Sequence, residues 1–407
     1  MRKIFSFVLF FVISIAFSAA ELVSSQKFGY TIDLPEGFVM VDGSEDESMF
    51  QFSSEIVPVT VLLVTSSSQK SKNPAEEFLK SNLKKLGATL KGSRIDTVSW
   101  RRRKASVASF VFQNQVFSEE QQGISACVQL SSANSFVNMI VFTPKKNFYQ
   151  NECFVSSIID SLSVDLGSFK EPGIITQQKY FSDPLDKKSR VNVDIEIAGQ
   201  KISTSIGNKD VLANQSVIDR EFNVFKVYAM SGDESVRKFA VPAWQRFYRM
   251  IARDALYRMK IPAFDISAAL QDVAFEKDSA NTDAAIAQML LNWVQSFEYK
   301  RESQDVSKAD FNNIPSVMQN LGSDCDSRSM LVAVILKNLG VDSCFFVSSE
   351  YSHALVGAVL DGKQGFSFPI DGKQYLLGDT TVKGLTFGTI AAEQADISKW
   401  VEVEFPF

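Results

Sequence analysis

Residues Met330 to Leu339 follow an apolar helical pattern that stops at Gly340, and Gly322-Ser323-Asp324-Cys325-Asp326-Ser327-Arg328-Ser329 stands directly before it. Cys325 therefore begins a helix. Free backbone N–H groups and the positive end of the helix dipole are expected there to favour a thiolate over a thiol. The elements after Cys325 can be placed by length. A helix of about 14 residues, at ~1.5 Å each, carries the chain ~20 Å from Cys325. Val341 to Val347 reads as a strand that returns nearly as far at ~3.3 Å per residue. Ser348 to Ser352 then turn near the Cys325 end, and His353 opens a strand that runs to Leu360. Gln374 to Asp379 comes back after a second connection, so Asp379 ends near the start of that strand. A thiol, an imidazole and a carboxylate converging on one edge are what nucleophilic acyl transfer requires. Each residue alone has a plainer reading: an inert buried cysteine, a structural histidine, a turn at Asp379-Thr380-Thr381. Their order favours the joint reading, because the chain's only histidine falls where that order needs it.

These motifs resemble the core of the transglutaminase-like superfamily, which belongs with the papain-like cysteine enzymes. The carrying residues are Gly322-x-x-Cys325-Asp326-x-x-Ser329, the helix end Leu339-Gly340-Val341, Ser352-His353-Ala354-Leu355-Val356, and Leu377-Gly378-Asp379-Thr380-Thr381, within residues of about 280 to 382. The resemblance implies Cys325 as nucleophile, His353 as general base and acid, and Asp379 as the group orienting the imidazole. The chain departs from many relatives at Ser323-Asp324, where Gly-Asp is usual, and at Ala354, where an aromatic often follows the histidine. Gln319 stands where papain-like enzymes place the side-chain donor of an oxyanion hole. It reads equally as a polar loop residue beside Asn320.

The N-terminus reads as an export signal. Arg2 and Lys3 precede an apolar stretch from Ile4 to Phe17, then Ser18-Ala19-Ala20 supplies a cleavage site before Glu21. That stretch is shorter than the ~20 residues needed to span a bilayer. The expectation is a periplasmic or secreted protein, cut after Ala20, with no stable membrane anchor. In an oxidising compartment Cys127 and Cys153 are a possible bridge or two buried thiols. The spacing of the four cysteines and one histidine offers no zinc set, so no metal and no cofactor is expected. A net charge of -5 supplies no electrostatic footprint for nucleic acid.

Between these ends the chain divides. Residues 21–166 read as an α+β domain. Strands are expected at Phe28–Leu34, Ile56–Val64, Ser106–Phe112, Ala126–Leu130 and Phe136–Phe142. A helix opens at Asn73-Pro74 and stops at Gly87, and another covers Glu152–Leu162. Tyr30-Thr31-Ile32-Asp33-Leu34-Pro35-Glu36-Gly37-Phe38 and Ile158-Ile159-Asp160-Ser161-Leu162 resemble the PsbP-like fold, which implies docking or binding rather than catalysis. Arg101-Arg102-Arg103-Lys104 reads as a solvated hairpin before an anion site. Residues 167–190 read as a linker, and 191–407 as the transglutaminase-like domain. In the latter, a hairpin at Val191–Ile206 and a helical extension to 280 (broken at Pro262) precede a core at 281–407.

The fold class is thus α+β: an antiparallel sheet with helices, then a helix-plus-antiparallel-sheet domain. The leading functional expectation is an exported thiol peptidase or amidase working through an acyl-enzyme on Cys325. Its substrates would be peptides or proteins, envelope proteins and cell-wall peptide among them. The alternative is a non-catalytic envelope binding or docking protein on the same scaffold.

Overall fold

Alternating apolar and polar residues make most of the N-terminal part sheet. The structure, a computed structural model, describes residues 22–66, 72–90, 94–131, 134–183, 185–301, 308–319 and 322–405. The expected signal segment lies outside them. Strands β1 (Leu22–Ser25) and β2 (Tyr30–Asp33) pair as an antiparallel ribbon. An eight-stranded antiparallel sheet comes next: β3 (Phe38–Gly43), β4 (Met49–Ser54), β5 (Thr60–Ser66), β6 (Thr89–Leu90), β7 (Asp96–Trp100), β8 (Arg103–Phe112), β9 (Gln121–Gln129) and β10 (Phe136–Pro144). Its order is β3-β4-β5-β10-β9-β8-β6, with β7 also paired to β8.

Helix α1 (Pro74–Leu86) starts on its proline and stops at Gly87, whose φ of +75° only glycine adopts cheaply. It covers one face of the sheet through Phe78, Leu79 and Leu83, against Phe110, Phe136 and Ile140. Helix α2 (Phe148–Asp160) covers the other through Phe154, Val155 and Ile158. The period-2 pattern of the strands sorts their side chains between these two layers. It also separates the two cysteines. Cys127 packs under α1 while Cys153 packs on the α2 side, so both thiols are free and the possible bridge does not form.

The basic run turns the β7–β8 hairpin, with Arg101 and Arg102 at φ 52° and 60°. It is not simply solvated. Arg101 reaches Asp165 Oδ1 at 2.6 Å, and Arg103 pairs with the other oxygen. Two of the four cations thus share one carboxylate within the fold. The stretch expected as a linker is packed as well. It contains α3 (Ile174–Tyr180), Asp160 Oδ1 accepts from Ile175 N at 2.7 Å, and the Pro172 carbonyl accepts from Trp100 Nε1 at 3.0 Å.

The C-terminal part opens with the hairpin β11 (Arg190–Ile197) and β12 (Gln200–Gly207), turning through Ala198 and Gly199 at positive φ. Helices α4 (Asp210–Ala229), α5 (Glu234–Arg237), α6 (Ala240–Arg258), α7 (Lys260–Lys277), α8 (Thr282–Gln295), α9 (Ile314–Met318) and α10 (Cys325–Asn338) succeed it. Pro262 falls in the first turn of α7, where no intrahelical donor is needed, so the break comes at Met259. Helix α4 has no counterpart among the expected elements. The chain closes with a five-stranded antiparallel sheet of β13 (Ser343–Ser348), β14 (His353–Ala358), β15 (Ser367–Ile370), β16 (Lys373–Gly378) and β17 (Val401–Val403), ordered β15-β16-β14-β13-β17.

The two parts are joined through buried charge. Glu221 on α4 accepts from Arg246 Nη1 on α6 at 2.9 Å and from Ser157 Oγ on α2 at 2.8 Å. Arg246 also donates to the Asp33 carbonyl through Nη2 at 2.9 Å. Arg220 pairs with both Glu221 and Asp160. Arg246 and Glu221 are almost wholly covered, so each depends on the other for solvation. Arg246→Met is expected to destabilise the chain by about 3 kcal/mol, because it breaks a buried ion pair and leaves Glu221 with only Arg220 and Ser157 as donors. Urea unfolding at neutral pH measures the loss.

Candidate functional site

Helix α10 is the element to start from, since every residue from Ser327 to Leu336 is buried. The strands β13 and β14 lie on one side of it and helices α6 to α9 on the other. A helix buried on all sides still has free N–H groups in its first turn. Asp324 serves as its N-cap, accepting from Ser327 N at 2.9 Å and from the Ser327 hydroxyl. Arg328 then anchors the first turns, donating from Nε to Ser323 Oγ at 2.9 Å and from Nη2 to the Phe297 carbonyl at 2.9 Å. Ser329 Oγ lies 3.1 Å from Thr380 Oγ1 and donates to the Ala354 carbonyl at 3.3 Å. These contacts bring the start of α10, the start of β14 and the end of β16 together.

His353 is the first residue of β14, in register with Ser348 of β13. Its Nε2 lies 3.2 Å from Asp379 Oδ2. Asp379, one residue beyond β16, accepts from Thr381 N at 2.8 Å and Thr381 Oγ1 at 2.6 Å on its other oxygen. Its carbonyl is held by Gln295 Nε2 at 2.8 Å. Burial alone would raise the Asp379 carboxyl, but the hydrogen bonds from His353 and Thr381 outweigh it and hold the carboxyl below its ordinary range. Trp400 stands beside the imidazole, with ring centroids 6.3 Å apart.

Cys325 is the first residue of α10, as expected, but its sulfur is not in the electrostatic state expected of a helix N-terminus. The thiol donates to Asp326 Oδ1 at 3.2 Å, and the backbone N–H of Ala354 is directed at the sulfur. Burial pushes the thiol up, and the charges of Asp326 and Asp324 push it further. Two carboxylates within one residue of the sulfur outweigh partial charges at a helix end. Among the described residues no hydrogen bond joins Cys325 to His353.

Gln319 comes directly after α9 and closes it, its N–H donating to the Ser316 carbonyl at 3.1 Å. The side chain is half-buried and bonds nothing among the described residues. Asn320 and Leu321, which lead from it to Cys325, lie outside them. Cys344 faces the far side of the C-terminal sheet with Phe346 and Trp400, away from Cys325. A cavity of about 370 Å³ is lined by Gln288, Asn292, Gln295 and Lys383 but by neither Cys325 nor His353. Its Gln288 and Gln295 amides are committed to the 384–387 loop.

Asp326, which accepts from the thiol, and Tyr248, which donates to Asp326 from behind, are not in the expected set. Asp326 is visible inside the cysteine motif. Tyr248 is hidden in the aromatic run of α6, where a core reading is the natural one.

Burial and the neighbouring Asp326 charge raise the Asp324 carboxyl to about 7. A carboxyl raised in the folded state stabilises the fold fully below its unfolded value of about 4, and that contribution is lost as pH rises through the folded value. Asp324→Asn keeps an oxygen to cap Ser327 but has no charge to bury. Its Tm relative to the parent chain is therefore expected to rise between about pH 4 and pH 7. A thermal unfolding series across that range measures it.

No family model and no curated protein matches the chain. Solved structures resemble it weakly. A cyanobacterial PsbP (CyanoP) from Synechocystis is 12% identical with a TM-score of 0.30, over 38% of this chain and 98% of that one. The Ran-binding protein Mog1p of Saccharomyces cerevisiae is 12% identical with a TM-score of 0.26, over 37% and 98%. LpqN of Mycobacterium tuberculosis, involved in cell envelope biogenesis, is 11% identical with a TM-score of 0.26, over 36% and 90%. The likeness is to small α+β domains of PsbP and Mog1 type. Among the described residues no helix is long and apolar enough to cross a membrane.

Proposed function

We propose that this chain is an exported thiol enzyme of transglutaminase-like type, acting on amide bonds through an acyl-enzyme on Cys325. One observation carries the reading: the 3.2 Å His353–Asp379 pair stands at the start of the strand whose next residue, Ala354, directs its N–H at the Cys325 sulfur. In this scheme the His353 ring takes the thiol proton as Cys325 Sγ attacks the substrate carbonyl. Asp379, fixed by Thr381 and Gln295, orients the ring and balances the imidazolium. The Cys325 N–H, in the first turn of α10, receives the oxyanion, with Gln319 as a second donor. His353 then protonates the leaving amine, the C–N bond breaks, and water releases the acyl group. Peptides and proteins of the envelope are the substrate class.

A second reading is favoured by the thiol itself. A buried sulfur bonded to one carboxylate and adjacent to another suits a scaffold that docks a partner without chemistry. Two measurements separate the readings. Hydrolysis of fluorogenic peptidyl amides is expected for the parent chain, to be abolished by Cys325→Ala and reduced about 10²-fold or more by His353→Ala. A peptidyl vinyl sulfone is expected to label Cys325 selectively. The docking reading prevails if no amide is turned over and the reagent reaches Cys325 no faster than Cys344.

A further inference from the structure

Two groups linked to the Cys325 sulfur are left without a role by the acyl-transfer scheme. The thiol donates to Asp326 Oδ1 at 3.2 Å, and the Tyr248 hydroxyl donates to Asp326 Oδ2. Asp326 is the second residue of α10, so the helix fixes its backbone. Tyr248 is fixed by packing, its ring centroid 4.9 Å from Phe247 and 4.6 Å from Phe345. A carboxylate with one oxygen taken by a rigid phenol presents the other as an acceptor. That acceptor faces the thiol proton.

We propose that Asp326, clamped by Tyr248, is a positioning residue that keeps the Cys325 proton on sulfur and turned from His353 until the site is occupied. Its purpose rests on the thiol-enzyme reading, although the contact itself does not. On release, the S–H···O hydrogen bond to Asp326 breaks and the proton passes from sulfur to the imidazole. A neutral thiol and neutral ring become a thiolate and an imidazolium, and Asp326 neither gains nor loses a proton.

The other charged and titratable groups around the sulfur come from every neighbouring element. Asp324 and Arg328 lie on α10, Tyr299 comes after α8, and Asp310 precedes α9. His353 and Asp379 complete the set from the sheet. The two aspartates of α10 are the negative charges adjoining the thiol, and only Asp326 also accepts its hydrogen bond. Replacing that carboxylate with an amide preserves shape and an acceptor while removing the charge.

The test is the pH profile of Cys325 alkylation by iodoacetamide on the full chain, resolved by peptide mass spectrometry. Asp326→Asn is expected to shift the profile down by about one pH unit, a tenfold rise in rate near neutral pH. A profile that stays in place or moves up overturns the proposal. If Asp326→Asn fails to fold, the buried Cys127 and Cys344 will alkylate as fast as Cys325. Tyr248→Phe is then read instead, with a downward shift expected and an unmoved profile again overturning the proposal. The profile needs no substrate, so it is separable from the enzyme reading. Amide hydrolysis that depends on Cys325 beside an unmoved profile sinks only the latch. A shifted profile without hydrolysis sinks only the enzyme.

Discussion

Helix α10 has no solvent face, and most of the C-terminal part is arranged to satisfy that fact. Its apolar run Met330 to Leu336 is wrapped by β13 and β14 on one side and helices on the other. A helix so enclosed cannot leave its terminal polar groups to water, so protein must supply their partners. Asp324 and Ser327 do so at the N-terminus, while Arg328 collects the carbonyls of Phe297 and Thr380. The same contacts fix where Cys325, His353 and Asp379 stand. Packing and site geometry are one problem here.

Enclosure also decides the electrostatics. In water the helix dipole would tilt Cys325 towards its anion. Inside the protein, burial disfavours that anion and two adjacent carboxylates oppose it. Asp379 goes the other way, because its hydrogen-bond donors outweigh its burial. Burial and charge thus hold Cys325 as a thiol, while Asp379 fixes the His353 ring. The buried Arg246–Glu221 junction obeys the same rule on a larger scale. There each buried charge is met by a partner of opposite sign.

Local chemistry made several elements legible. Pro74 and Gly87 bracket α1, Ala198-Gly199 turns the β11–β12 hairpin, and Gly340 ends the apolar run of α10. Counting residues from Cys325 located the starts of β13 and β14 to within a few positions, because the connections before them are short, and β16 begins within one residue of its expected start. The elements that stayed hidden lacked a local signal. The short strands β6, β15 and β17 carry too few residues for a period to show. Helix α4 buries Ala213, Val217 and Val224 among polar residues such as Asn214 and Glu221, whose partners lie far along the chain. The supposed linker likewise orders itself through Asp160 and Asp165, contacts that its own composition does not announce.

By itself the sequence determined the succession α10, β13, β14 and β16, and that Cys325, His353 and Asp379 lie at the ends of that helix and two of those strands. Those come from periodicity, turn residues and chain length, which are local. Only the tertiary structure decided that Cys127 and Cys153 lie on opposite sides of a sheet, that Arg101 and Arg103 share Asp165, and that Asp326 meets the sulfur with Tyr248 behind it. Face, burial and the sign of a local field depend on what packs against a residue from elsewhere, and spacing along the chain does not carry that information.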